Sequence, residues 1–413
     1  MNSKNVSSME THNIRHLIGQ GCLTNSKHSD RFPDGIYPHV VKGGRGCTLF
    51  DENEKPYIDF ICGLGTNLYG YANIKIRKAI ENSLAYGASH SFPTIWESKA
   101  ARSVMEVVPW AEKLKFVNDG SSACTAACIM ARAFQQEKYG EHRKYVCSVG
   151  YHGWHPEFTS LTPPAYGISG VHRIWEGNCI YKNDPMNIAA VIVEPVILDD
   201  GKQAIDALKN LMQYCEENGI IIIFDETITA LRYPKLTVAR CYNLNPDLII
   251  FGKALGNGEK ISCIAGRRDI LDGDYFVSGT YHGHVPTLAA VIECIRLAKH
   301  SNDHDVEVLQ NHGLRFQREF NDACKPIGIR LEGYGTRGAF IGDQRNKASL
   351  MQELAKAGFL FGPSFFLNWH LIEYLDDVIS TINAIVGDIK CGKRRYHGRL
   401  PTSPFSSRAR RKK

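Results

Sequence analysis

From about Leu114 onward, short apolar runs alternate with longer stretches in which apolar residues recur at helical spacing. This alternation predicts strands separated by helices, and therefore an α/β fold with a mainly parallel sheet covered on both faces. The predicted strands are 114–118, 144–148, 188–194, 220–224, 248–251 and 262–266, and the predicted helices are 122–137, 204–218 and 287–299.

The rest of the chain has a different pattern. Residues 43–60 predict a β-hairpin around an Asp-Glu-Asn-Glu turn, and 74–86 and 97–108 have helical spacing. The expected organisation is an N-terminal arm at 1–35, the N-terminal part of a small domain at 36–90, a large domain at 91–300, the C-terminal part of the small domain at 301–392 and a disordered basic tail at 393–413.

Composition indicates a globular chain, with 43% hydrophobic and 22% charged residues among 413. No apolar run approaches the roughly 18 residues of a membrane span, and the first residues are polar, so we expect a cytoplasmic protein. The 13 cysteines include no CxxC pair, which predicts reduced, buried thiols and no metal site. Cys124 and Cys128 share a helix face, for which core packing is the expected role.

The net charge of +6 is concentrated at one end of the sequence. Residues 393–413 carry nine Lys or Arg and no acid, so the remaining chain has a net charge of −3. A basic tail with prolines and serines predicts disorder. Its role is either that of a solubilising end or contact with a nucleic acid or another polyanion.

A single lysine follows the apolar run Leu248–Phe251 in the glycine-punctuated sequence Gly252-Lys253-Ala254-Leu255-Gly256. A lysine held where water is scarce loses its proton more easily and can form a Schiff base with a carbonyl compound. Asp225 and Glu194 also directly follow buried strands, at the edge where open α/β sheets bind ligands. The alternatives are a solvated lysine, a helix cap and an ion pair.

Three turns carry further chemistry. The turn 118–123 joins a strand to a helix, where Ser121 and Ser122 are expected either to bind a phosphate or to cap the helix. The glycine-bracketed loop 150–155 presents Tyr151, which could stack on a planar ligand, and 278–283 presents Thr280 as a second phosphate contact. Together with the lysine and the aspartate, these features suit a phosphorylated aromatic aldehyde, and pyridoxal 5'-phosphate (PLP) is the cofactor with those groups.

Over residues 36–392 the order and spacing of these motifs resemble the class III aminotransferases, which are PLP enzymes of fold type I, and in particular their glutamate-1-semialdehyde aminomutase-like branch. The resemblance is carried by Tyr57-Ile58-Asp59-Phe60, Asn118 to Ala123, Tyr151-His152-Gly153, Glu194-Pro195, Asp225-Glu226, Phe251 to Gly258 and Gly279-Thr280. It implies a large domain with a mainly parallel seven-stranded sheet and a smaller α+β domain.

The resemblance also implies roles for single residues. Lys253 would form the Schiff base and move the Cα proton, Asp225 would keep the pyridine nitrogen protonated, and Tyr151 would stack on the ring. The cofactor-binding residues that it implies are Gly120, Ser121, Ser122, Tyr151, His152, Glu194, Asp225, Thr227, Lys253 and Thr280. Because Thr280 would reach the phosphate of the neighbouring subunit, a homodimer is implied.

The sequence departs from the family pattern at Ser122, where many relatives carry a glutamate, and at Thr227, where an apolar residue usually packs under the ring. The expected activity is amino-group transfer between an amine or amino acid and a ketone or aldehyde. The alternatives are an intramolecular aminomutase, and a decarboxylase or lyase acting on an amino acid attached to nucleic acid, as in viral DNA base modification, with the basic tail binding the polymer. A binding protein that has lost catalysis is a further alternative.

Overall fold

The computed structural model describes residues 9–140, 143–159, 171–173, 180, 184–300 and 305–402. The strands, in chain order, are β1 (Val41–Arg45), β2 (Thr48–Asp51), β3 (Pro56–Asp59), β4 (Lys113–Val117), β5 (Tyr145–Val149), β6 (Val171–Arg173), β7 (Ile188–Val193), β8 (Ile221–Asp225), β9 (Leu248–Phe251), β10 (Ser262–Gly266), β11 (Arg330–Tyr334), β12 (Arg337–Ile341), β13 (Phe359–Leu360) and β14 (Phe365–Phe366).

The regular α-helices are α1 (Met9–Leu17), α2 (Ile74–Ser83), α3 (Ile95–Val107), α4 (Gly120–Tyr139), α5 (Pro156–Thr159), α6 (Lys202–Glu217), α7 (Val238–Cys241), α8 (Arg268–Leu271), α9 (Val285–His300), α10 (Val306–Cys324), α11 (Gln344–Lys356) and α12 (Leu375–Lys390). Within the described ranges, no helix is both long enough and apolar enough to cross a bilayer.

The unit formed by residues 74–308 contains a seven-stranded sheet in the order β4-β10-β9-β8-β7-β5-β6. Strand β10 is antiparallel to both β4 and β9, and the other neighbours run parallel. Every residue of β7, β8 and β9 is buried, as expected for strands with helices on both faces. The prediction of a mainly parallel seven-stranded sheet is confirmed.

Helix α4 packs its small side chains closely against this sheet. Its alanine-rich buried face meets branched residues of the central strands, and the cluster includes Ala123, Ala126, Ala127, Ala131, Ile192, Ile223, Ile250 and Ile264. Small residues bring the helix backbone near the strands, and the apolar area buried there stabilises the fold by about 25 cal/mol per Å². The beginning of α4 is thereby fixed at the carboxyl edge of the sheet.

The second unit consists of residues 9–73 and 309–402. It holds the sheets β1-β2-β3-β13 and β11-β12-β14 and an aromatic core in which Phe60 and Phe361 stack at 4.4 Å. The borders between the two units lie after Asn73 and after Val308, whereas the sequence pattern predicted borders after residues 90 and 300. The first border differs because α2 packs on α9 of the large sheet's unit.

The segment 393–402 is packed against this second unit, which differs from the predicted disordered tail. Tyr396 is 2% exposed, and its backbone N–H donates to Ser349 Oγ at 2.9 Å. Arg394 pairs with Glu353 at 2.8 Å, and Arg399 pairs with Asp30. The prediction was wrong for these residues because composition does not reveal that a buried aromatic side chain and several ion pairs hold them. Residues 403–413 lie outside the described residues.

Two truncations separate the packed segment from the residues beyond it. We expect deletion of 393–413 to lower the free energy of unfolding by about 3 kcal/mol or more, since it removes a buried aromatic side chain and leaves Asp30 and Glu353 with fewer partners. Deletion of 403–413 alone is the matched control and should leave the urea midpoint unchanged. Equal midpoints for the two truncations would contradict the described packing.

Candidate active site

Parallel strands place the predicted site residues at one edge of the large sheet. In the register of the sheet, Val149 pairs with Val193, Val193 with Phe224, and Asp225 with Ile250. The residues that follow these positions, which include Tyr151, Glu194 and Lys253, therefore leave the sheet side by side. This edge also receives the beginning of α4, because β4 ends there.

The carboxylate of Asp225 is the most enclosed of these groups. Its Oδ2 accepts from His152 Nδ1 at 2.8 Å and from the Cys124 thiol at 3.3 Å, and its Oδ1 accepts from the Thr227 backbone N–H at 3.1 Å. Burial alone would raise the pKa of the Asp225 carboxyl, but the hydrogen bond and positive charge of His152, together with hydrogen bonding from Thr227, outweigh burial, so the pKa is lowered. Asp225 is thus a buried anion that accepts hydrogen bonds.

His152 is placed to donate from both ring nitrogens. Nδ1 faces the Asp225 carboxylate, and Nε2 lies 3.0 Å from the Val149 carbonyl oxygen, which can only accept. The imidazolium form satisfies both contacts, and the ring is 2% exposed. His152 therefore serves as the counter-ion of Asp225.

Lys253 lies in a strained turn directly after β9. It starts the short 3-10 helix Lys253–Leu255 with a positive φ of 42°, which a lysine rarely adopts and which is typical of functional sites. A side chain at Gly252 would come within 2.8 Å of both Ser262 Oγ and Thr227 Cγ2. Only glycine fits there, so the tight packing on either side fixes where the lysine leaves the sheet.

The turn before α4 differs in detail from the expectation that one of its serines caps the helix. The cap is Asp119, whose Oδ1 accepts from the Ser122 N–H at 2.9 Å and whose Oδ2 accepts from the Ser122 hydroxyl at 3.2 Å. Ser121 Oγ accepts from Trp154 N–H at 3.4 Å. Gly120, Ser121 and Ser122 form the first turn of a 20-residue helix, where the backbone favours an anion.

The loop that carries Tyr151 is held by Glu194. Its Oε1 accepts the Tyr151 backbone N–H at 2.7 Å, and Gly150 has a φ of 107° that allows this approach. Burial, followed by the nearby Cys124, Asp225 and Glu194, raises the pKa of the Tyr151 phenol. The phenol therefore stays protonated, and Glu194 acts on the loop backbone here, a contact that sequence reasoning did not foresee.

Of the two predicted threonines, Thr227 lies within the site and Thr280 lies on the surface. The Thr227 methyl group lies between the start of α4 and Gly252, because a Cβ at Gly120 would be 3.1 Å from it. Thr280 lies in an exposed turn before α9. Its contact with the phosphate of a neighbouring subunit stays a prediction.

Sequence reasoning assigned Cys124 to core packing and thereby missed its hydrogen bond to Asp225. The available signal was its position four residues after Gly120, which places it one helical turn from the sheet edge. Cys124 Sγ, His152 Nδ1 and Asp225 Oδ2 lie within 4.8 Å of one another, which resembles a zinc ligand set. However, His152 Nδ1 and Asp225 Oδ2 are only 2.8 Å apart, whereas two ligand atoms of one tetrahedral Zn²⁺ are separated by roughly 3.3 Å. The distance between these two atoms therefore suits a hydrogen bond.

A double-mutant cycle tests the pairing of His152 with Asp225. We expect His152→Phe to lower the free energy of unfolding by about 3 kcal/mol at pH 7, because it leaves a buried carboxylate without its counter-ion. Adding Asp225→Asn should recover at least about 1 kcal/mol of that loss. The measurement is urea unfolding of the single and double variants, and strictly additive effects would argue against the pair.

The pH dependence has a defined sign. Because the pKa of Asp225 in the folded protein is lowered, its contribution to stability is present above its unfolded pKa and is lost as the pH falls through the folded value. In His152→Phe the unpaired carboxylate takes up a proton readily, so the destabilisation should be smaller at pH 4 than at pH 7. An equal loss at both pH values would indicate a packing effect alone.

Comparison with known proteins gives a consistent assignment. The chain is 32% identical over 301 residues to the glutamate-1-semialdehyde 2,1-aminomutase of Haloarcula marismortui, and this match spans 65% of each protein, just under two thirds. Its fold matches the FumI protein of Sphingopyxis sp. MTA144, solved in its PLP internal aldimine form, with a TM-score of 0.80 at 22% identity over 92% of this chain and 96% of that one. It also matches an omega-transaminase of Sphaerobacter thermophilus with a TM-score of 0.80 at 18% identity over 94% and 99%.

The family model for class-III aminotransferases covers most of the residues discussed above. It matches residues 33–173 and 171–365, which include the predicted lysine, both strand-end carboxylates, the Tyr151 loop and the turn before α4. Because this match extends over more than half of the sequence, the chain belongs to the class-III aminotransferase family.

Proposed function

We propose that this protein is a PLP-dependent aminotransferase that moves an amino group between an amine or amino acid and a ketone or aldehyde. The observation that supports it most directly is the pairing of β8 with β9, which brings the buried anion Asp225 and the strained Lys253 to one edge of the sheet. The family to which the chain belongs adds support.

The residues at this edge fit the cofactor. Lys253 would hold the aldehyde carbon, Asp225 would accept a hydrogen bond from the ring nitrogen, and Tyr151 would cover the ring. Ser121, Ser122 and the first turn of α4 would hold the phosphate, because a helix N-terminus favours an anion. When bound, PLP supplies the aldehyde that takes up the amino group and the ring that withdraws electrons from the α carbon.

Each of these side chains has a defined part in the chemistry. Asp225 is kept ionised by His152, so it favours a protonated ring nitrogen, which strengthens electron withdrawal. The Lys253 amine would take a proton from the substrate α carbon and return it at the cofactor carbon that carried the aldehyde. The protonated Tyr151 phenol adds no negative charge beside the ring.

An aminomutase is the second candidate, and the similarity to glutamate-1-semialdehyde 2,1-aminomutases favours it specifically. The two activities use the same residues and differ in whether the carbonyl product leaves the enzyme. A decarboxylase acting on a nucleic-acid-linked amino acid stays an alternative from sequence. In residues 393–402 of the basic tail, Arg394 and Arg399 pair with carboxylates of the protein itself. Less positive charge is therefore free to bind such a polymer than the composition of the tail suggests.

The activity is tested by incubating the purified protein with PLP and a panel of amines and amino acids. We expect loss of the cofactor's visible absorbance band together with release of a ketone or aldehyde, and a fall of about 10³-fold or more in Lys253→Ala. Retention of the carbonyl product would favour the aminomutase, and release of CO₂ would favour the decarboxylase. Full activity of Lys253→Ala would refute the proposed role of this lysine.

We further propose that the protein acts as a homodimer. A set of exposed apolar side chains supports this, namely Phe92, Ile95, Phe276 and Tyr281, which are 82%, 67%, 88% and 64% exposed. The segments that carry them adjoin, since the Val285 N–H donates to the Ala88 carbonyl at 2.9 Å. An apolar surface of this kind is typical of a protein–protein contact, and Thr280 lies in it.

A charge placed on this surface should separate the subunits. We expect Phe276→Asp to convert the dimer to monomer and to weaken PLP binding, because Thr280 would no longer reach the neighbouring site. Met186→Asp, at an apolar residue that is 46% exposed elsewhere in the same unit, is the matched control. Sedimentation equilibrium gives the mass, and a monomeric parent protein would contradict the proposal.

A further inference from the structure

The Asp225 carboxylate receives donors unequally on its two oxygens. Oδ2 accepts from both His152 Nδ1 and the Cys124 thiol, whereas Oδ1 accepts from the Thr227 N–H. A carboxylate oxygen has two lone pairs, so two donors saturate Oδ2. A further donor that reaches Asp225 from the cofactor must therefore approach Oδ1.

We infer that Cys124 is a positioning residue, whose thiol occupies the second acceptor position of Oδ2 and so directs the cofactor's ring nitrogen to Oδ1. This inference rests on the proposed function, since it concerns the PLP site. It assigns to Cys124 a role that core packing alone does not include.

The place of Cys124 in the fold suits this role. His152 and Thr227 belong to loops, whereas Cys124 lies in the 20-residue helix α4, whose neighbouring alanines pack against the sheet. A donor on a rigid helix fixes the carboxylate rotamer more firmly than a donor on a loop. The contact is buried, with Cys124 1% exposed and Asp225 5% exposed, so water does not compete for it.

The thiol is in the form that the role requires. Burial, followed by the negative charge of Asp225, raises the pKa of Cys124 well above its usual value, so the sulfur keeps its proton and donates it. A neutral donor adds no charge to the pair of His152 and Asp225. It orients the carboxylate and leaves the ionic pairing intact.

Variants at position 124 can separate a hydrogen bond from a volume effect. Cys124→Ser keeps a donor, while Cys124→Ala and Cys124→Val remove it with a smaller and a larger side chain. Cys128→Ala is the matched control, because Cys128 lies one turn further along α4 and is 0% exposed. Thermal unfolding of each variant without PLP establishes that it is folded.

The experiment reconstitutes each variant with PLP labelled with ¹⁵N in the ring, and measures the ring-nitrogen chemical shift and the dissociation constant. We expect Cys124→Ala and Cys124→Val to shift the resonance and to weaken PLP binding about fivefold, as the loss of one buried hydrogen bond implies. Cys124→Ser should restore both values, and Cys128→Ala should leave both unchanged.

Two outcomes would overturn the inference. If Cys124→Val keeps the wild-type shift and affinity, or if Cys128→Ala changes them as much as Cys124→Ala does, the thiol contributes packing alone. A failure of the proposed function is recognised separately. In that case the wild-type protein itself would bind no PLP, or borohydride reduction would not attach PLP to Lys253.

Discussion

The arrangement at the sheet edge depends on a buried negative charge and its counter-ion. A carboxylate at the end of a fully buried strand is unfavourable unless charge and hydrogen bonds compensate for lost hydration. Asp225 receives that compensation from His152, with a contact of 2.8 Å, and from two further donors. Because these donors come from α4, from the loop after β5 and from the loop after β8, one ionised group orders three separate segments.

The sheet explains why these segments meet. Parallel strands deliver every following residue to the same edge, and the central strands β7, β8 and β9 are buried along their whole length. The lysine turn needs Gly252 for steric reasons, and it carries a positive φ at Lys253 that the surrounding packing must support. Rigid packing beneath the edge thus supports a strained turn above it.

The C-terminal segment illustrates how composition can mislead. Residues 393–402 are basic and rich in loop-forming residues, yet the buried Tyr396 and the ion pairs of Arg394 and Arg399 hold them in place. Two of the carboxylates that hold these arginines, Glu353 and Asp30, lie far away in sequence. No local pattern reports such partners, so a charge count alone overstates both disorder and free positive charge.

The sequence by itself determined the alternation of strands and helices, the seven-stranded sheet through family resemblance, and the strand-end placement of Asp225 and Lys253. These follow from local periodicity and from motifs in a fixed order, which need no knowledge of distant contacts. Only the tertiary structure decided that Cys124 donates to Asp225, that Asp119 caps α4 and that Glu194 holds the Tyr151 loop. Cys124 and its acceptor are 101 positions apart in sequence, and Glu194 and its donor are 43 positions apart. The helix cap depends on which of several polar side chains the backbone turn orients toward the helix. Each of these contacts was therefore settled by packing in three dimensions.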